Sequence, residues 1–174
     1  KEDVKILENN IKSANKKAII IKAESKIVVS NPEILRGKRA LVVEDGPTLT
    51  HGGMKIGAGY IAAKNYGAKI ASPVKYAIGS IKEIYKKYPH VKDVLPAMGY
   101  FDKQIKELEQ TINKTPCDVV VDGSPVNLSQ ILKINKPIVN VEYYLNEKGL
   151  KLKDILKKRG FIWKLLNILN GKII

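Results

Sequence analysis

The densest set of chemistry-bearing residues in the chain is Glu44-Asp45-Gly46-Pro47-Thr48-Leu49-Thr50-His51-Gly52-Gly53-Met54. Glu44 and Asp45 close an apolar run, and two carboxylates at a strand end can hold Mg²⁺, a hard cation that takes oxygen ligands. Thr48 and Thr50 supply hydroxyl donors. Gly52 and Gly53 let backbone N–H groups approach an anion closely. A helix starting after this stretch would aim its positive end at the same anion. His51 could donate to a phosphate or move a proton near neutral pH, which makes His51 and Asp45 the candidate catalytic pair. The alternative is a long glycine turn capped by Asp45, with His51 an ordinary loop residue.

Three other stretches could line the same pocket: Ser72-Pro73 through Tyr76 to Gly79-Ser80, Met98-Gly99-Tyr100, and Asp122-Gly123-Ser124-Pro125. Tyr76, Gly79, Ser80 and Ser124 are their candidate phosphate or substrate contacts, although turns are built from these residue types anyway. Gly57-Ala58-Gly59-Tyr60-Ile61-Ala62 matches the dinucleotide fingerprint by letter. It begins about a dozen residues beyond the strand, whereas the fingerprint needs its glycines at the strand-to-helix turn. These small residues are read instead as close helix–sheet packing. The chain contains no G-x-x-x-x-G-K-[ST] phosphate loop. Its one cysteine, Cys117, excludes an internal disulfide and a multi-thiolate metal site, and is read as a small buried hydrophobe.

The elements that must hold these residues alternate. Val4, Leu7, Ile11 and Ala14 mark one face of an amphipathic helix. Ala18 to Ala23 reads as a strand and Lys26 to Val29 as an extended piece. Ala40 to Val43 is a strand of the doubly covered parallel kind, Gly46 to Met54 a loop, and Ile56 to Tyr66 a helix closed by Gly67. Strands follow at Ala68 to Ala71, Val94 to Met98, Asp118 to Val121 and Pro137 to Tyr143. Pro96 keeps the second of these short or near an edge. Helices follow at Ile78 to Tyr88, from an Asp102 cap to about Asn113, and at Val126 to Ile134. This alternation predicts an α/β fold, a three-layer Rossmann-like, mostly parallel sheet with helices on both faces. In such sheets ligands bind beyond the carboxyl ends of the strands, where all four stretches fall.

The chain has 174 residues with 31 Lys+Arg against 17 Asp+Glu, a net charge of +14. It is 44% hydrophobic, enough for a core, and no run approaches the roughly 20 apolar residues of a membrane span. With no signal pattern either, a cytoplasmic protein is expected. Of the basic residues 28 are lysine, and isoleucine occurs 23 times, a compositional habit of hyperthermophiles. The lysines are spread along the chain, so nucleic acid is not the expected partner, whereas an anionic small molecule is compatible. From Leu150 to Ile174 seven Lys/Arg interleave with Ile155, Leu156, Ile162, Trp163, Leu165, Leu166 and Leu169. That pattern predicts a basic amphipathic helix, packed on the parent domain, on another subunit of a homo-oligomer or, less readily, on an acidic membrane.

The stretch LVVEDGPTLTHGGMKIGAGYIAAKNYGA resembles the C-terminal half of the cyclic 2,3-diphosphoglycerate synthetase-like proteins, also described as predicted P-loop GTPases. The resemblance continues through YAIGSIKEIYKKYPHVKDVLPAMGY, QIKELEQTIN, CDVVVDGSP and INKPIVNVEY, and spans roughly residues 1 to 146. It implies a longer protein in which an upstream P-loop domain binds ATP or GTP, with residues 1–36 its closing helix and strand plus a linker. Residues 37–149 would be the Rossmann-like domain and 150–174 the helical tail. It further implies Mg²⁺ and a phosphorylated or acidic substrate, contacted at Glu44, Asp45, Thr48, Thr50, His51, Gly52, Gly53, Tyr76, Gly79 and Ser80. Relatives tend to read D-P-R-P-Y where this chain has Ser72-Pro73-Val74-Lys75-Tyr76. They tend to read T-P-I-D-L-R-R where it has Ser124-Pro125-Val126-Asn127-Leu128-Ser129-Gln130. The lost arginines remove bidentate phosphate recognition, which lysine does not replace geometrically. A truncated, non-catalytic binding or scaffold module of the same fold is the alternative.

Overall fold

The computed structural model describes residues 2–99 and 101–160. Its elements run α1 (Glu2–Ala14), β1 (Lys22–Val29), β2 (Arg39–Asp45), α2 (Gly46–Thr50), α3 (Ala58–Asn65), β3 (Lys69–Ile70), α4 (Ser80–Lys87), β4 (Leu95–Ala97), α5 (Asp102–Lys114), β5 (Val119–Gly123), β6 (Ile138–Lys148) and α6 (Leu152–Lys158). The chain divides into two compact units, residues 27–144 and residues 2–26 with 145–160.

The larger unit is an α/β sheet built on β2. Strand order is β1-β6-β5-β2-β3, with β4 also on β2. Strands β3, β4 and β5 each run parallel to β2, and β6 runs parallel to β5. On its outer side β2 is shared: Arg39 and Ala40 pair with β3, while 43–45 pair with β4. Two short strands dividing one edge explain why β3 and β4 have two and three residues, and Pro96 sits where an edge tolerates a missing N–H. Parallel register places side chains of partner residues on one face. Leu41, Val43 and Val120 therefore share one face, and Ala40, Val42, Val119 and Val121 the other, all of them fully buried. A strand apolar on both faces needs cover on both, which is the three-layer arrangement the sequence predicts.

The covering helices follow from their spacing. On α3, Gly59, Ala62 and Ala63 are buried and bring the helix close to the sheet. It ends in a Schellman motif: Gly67 (φ 79°) donates to Lys64 O and Ala68 to Ala63 O. On α5, Leu108 and Ile112 are buried as expected, and Ile105 is half-buried. Pro89 stops α4 at Tyr88. In the smaller unit, α1 and α6 have no buried residue, and Lys22 pairs with Glu8 and Lys148 with Glu24.

Several sequence expectations need correction. Residues 46–50 form a helical turn rather than open loop, because Asp45 caps it and Pro47 pre-sets its first turn. The helix expected at Val126 to Ile134 is only a 3-10 turn, Leu128–Gln130, held locally by the Asn127 side chain. Residues 18–21 are not strand; β1 begins at Lys22. Asp102 is the first helical residue of α5 and Phe101 the cap. Cys117 is half-buried, and burial raises its thiol pKa. Expectations for Tyr100 and for Ile162, Trp163, Leu165, Leu166 and Leu169 lie outside the described residues. No helix among the described residues is long and apolar enough to cross a membrane.

Leu41 is fully buried on the central strand. Leu41→Ala should lower unfolding free energy by about 2–5 kcal/mol through lost burial plus the cavity left behind. Urea unfolding should show a lower midpoint with an unchanged slope.

Candidate functional site

Parallel alignment carries the ends of β2, β4 and β5 to one rim, while β3 ends beside Ala40 near the start of β2. That rim is closed by carboxylates of the chain itself. Glu44 is 3% exposed and lies against the start of α3. Its Oε1 accepts the Tyr60 N–H at 2.7 Å, and the amides of Gly59 and Gly57 also stabilise the charge. Three glycines make this fit possible. A Cβ on Gly57 would collide with Glu44 Oε2, one on Gly59 would meet Oε1 at 3.1 Å, and one on Gly123 would meet Oε2 at 2.7 Å. The reading of Gly57 and Gly59 as close-packing residues therefore holds, and the group they admit is a carboxylate. Burial raises the Glu44 pKa to about 7, the three amides offset part of that, and the nearby Asp122 charge adds to it.

Asp45 caps α2: its Oδ2 accepts both the Thr48 N–H, at 3.1 Å, and the Thr48 hydroxyl. On β5, Asp122 is 3% exposed; Oδ1 accepts the Ser124 amide and hydroxyl, and Oδ2 the Leu128 amide. On α5, Glu107 accepts the Ser80 amide at 2.9 Å and the Ser80 hydroxyl, and its carboxyl fills the space a Cβ on Gly79 would need. The Ser80 bonds, with Lys103 nearby, lower the Glu107 pKa.

Most of the donors named in the phosphate-binding expectation have partners within the chain. The donors of Thr48, Ser80 and Ser124 are committed to Asp45, Glu107 and Asp122. Thr50 Oγ1 donates to Gly46 O at 2.9 Å, and the amides of His51 and Gly52 both donate to Pro47 O. Gly53 (φ 66°) has nothing within 4 Å of where a Cβ would stand, and Tyr76 is partly exposed in a 3-10 turn. Glu44 and Asp45 do not fit a shared Mg²⁺. Adjacent strand residues point to opposite faces, and each carboxylate is already engaged by backbone N–H groups. Among the described residues no group of three or more His, Cys, Asp or Glu side chains could hold a metal.

Both histidines instead converge on α2. His51 is exposed at its C-terminal cap, with Nδ1 3.0 Å from Thr50 Oγ1. His90, on the 3-10 turn Pro89–Val91, places Nε2 3.0 Å from Leu49 O and stands edge-on to Tyr88. Sequence reasoning missed His90 and Glu107, and took Asp122 only as part of a turn. Asp122 was findable, since VVVD closes a buried strand as VVED does at Glu44 and Asp45. Glu107 carries no such signal, because its partner lies 27 residues away.

In comparisons with known proteins the chain is 55% identical, over 160 residues, to arginine synthetase ArcE of Thermococcus kodakarensis. The match covers 91% of this chain and falls in the C-terminal part of that relative, so the chain spans 36% of the relative's length. No family model matches the chain, and no solved structure does.

Glu44 generates a stability test. Its folded pKa, about 7, exceeds the ordinary 4.5, so the folded form binds this proton more tightly than the unfolded chain. The resulting stabilisation is complete below about pH 4.5 and is lost as pH rises through about 7. Over that window the wild type should lose up to about 3 kcal/mol relative to Glu44→Gln. Urea unfolding of both proteins across the pH range measures this. A pH-independent difference would place the carboxylate in water.

Proposed function

We propose that this chain is a region of a nucleotide-dependent ligase and that its sheet rim holds the small-molecule substrate. The observation that carries this reading is the 55% identity, over 91% of the chain, to a protein named arginine synthetase. A synthetase of that kind couples bond formation to ATP or GTP. With no phosphate loop in its sequence, this chain would receive the nucleotide from an upstream P-loop domain. The net charge of +14 favours approach of the polyanionic nucleotide.

For the substrate the rim favours a cationic, amino-acid-like molecule over diphosphoglycerate. The donors that would cradle a phosphate are consumed internally, and the sequence lacks the two arginines that would grip it. Asp45 makes both Thr48 bonds through Oδ2, which leaves Oδ1 as an acceptor for an ammonium or guanidinium. The exposed His51 ring, six residues further on, is the proton-transfer group of this reading. Catalysis of such a ligation rests on positioning and on charge stabilisation, with Asp45 and His51 holding the acceptor in line. No step is assigned to Mg²⁺, since Glu44 and Asp45 do not offer it a shared site.

A second reading, a non-catalytic scaffold of the same fold, is favoured by one observation: the rim amides are satisfied without any guest.

Calorimetric titration of this chain with arginine, and separately with 3-phosphoglycerate, decides between them. Arginine should bind, and Asp45→Asn should weaken it about ten-fold, because asparagine keeps the cap and removes the charge. Preferential binding of phosphoglycerate would overturn the substrate class. Silence with both ligands would leave the scaffold reading standing.

A further inference from the structure

We propose that Thr50 is a positioning residue that fixes His51 as its Nδ1–H tautomer and so keeps the Nε2 lone pair available as a proton acceptor. The inference rests on the ligase reading only for the use made of that lone pair; the tautomer follows from hydrogen-bond counting.

Thr50 is 9% exposed, and its Oγ1 lies 2.9 Å from Gly46 O, one helical turn back. A carbonyl only accepts, and two oxygens at that distance with no proton between them would repel. The single hydroxyl proton of Thr50 is therefore spent on Gly46. Towards His51 Nδ1, 3.0 Å away, the same oxygen has only lone pairs to offer. The hydrogen on that contact must come from the imidazole. A neutral ring carries one N–H, so Nε2 is bare. When Nε2 takes a proton from a substrate N–H the ring becomes imidazolium, and its Nδ1–H bond to Thr50 is kept. Base and orienting partner then stand in the relation that general-base catalysis needs.

The platform is held at both ends. Asp45 caps the first turn of α2 through Thr48, and His90 braces Leu49 O at the last. His90 gives an internal contrast. Its Nε2 faces a carbonyl, so that nitrogen must carry the hydrogen. The chain has only two histidines, and they are assigned opposite tautomers.

Long-range ¹H–¹⁵N correlation spectra of the full chain, ¹⁵N-labelled at histidine and recorded above the imidazole titration, read this directly. Two ring patterns are expected, Nδ1–H for His51 and Nε2–H for His90, assigned with His90→Gln. Thr50→Ser should preserve the His51 pattern, whereas Thr50→Val should move its proton to Nε2 or average the two nitrogens. Two Nε2–H rings in the wild type would overturn the proposal, and so would an unchanged His51 pattern in a folded Thr50→Val. The wild-type spectrum alone decides if that variant fails to fold. An Nδ1–H His51 in a chain indifferent to arginine would retire the ligase reading and uphold the tautomer. Arginine binding with an Nε2–H His51 would do the reverse.

Discussion

A single buried carboxylate governs how the two halves of this sheet rim are built. Glu44 ends the central strand, is 3% exposed, and is held by the first amides of α3. Two effects oppose each other there. Removal from water penalises the charge, while three N–H groups and the positive end of the helix favour it. Burial wins, and the pKa settles at about 7. Because the carboxylate packs against the start of α3, a Cβ would collide with it at Gly57 and, across the sheet, at Gly123, and would crowd it at Gly59. Strand, helix and neighbouring strand are thus tied by one group.

The same device recurs elsewhere in the larger unit. Asp45 serves α2, Glu107 serves α4, and Asp122 serves the turn after β5. Each supplies the anion that a helix or turn start would otherwise take from solvent or from a ligand. Each such bond fixes a turn start to a side chain of the chain itself.

How much was legible in the sequence differs between core and rim. The buried run 40–43, the glycine stop at Gly67 and the proline stop at Pro89 all act through local backbone chemistry, and each element fell within a few residues of its expected place. Val126 to Ile134 failed because its apolar spacing was satisfied by packing Leu128 and Leu132 inward without a continuous helix. The Gly-x-Gly pair at 57–59 was rightly placed against the sheet, but its partner is a charge that no spacing rule announces. The Asp45 cap was legible as one of two readings of the stretch at 44–54, because the acid lies three residues from the amide it caps.

Periodicity, β-branched runs and breaker residues determined the α/β class, the parallel strands and the rim on which chemistry must gather, because each is a property of neighbours along the chain. Only the folded form decided which anion each backbone amide receives. Glu107 reaches Ser80 across 27 residues, and Glu44 reaches Tyr60 across 16. A carboxylate that competes with solvent and ligand for the same N–H wins by proximity, and proximity between distant segments exists only after the sheet and its helices have packed.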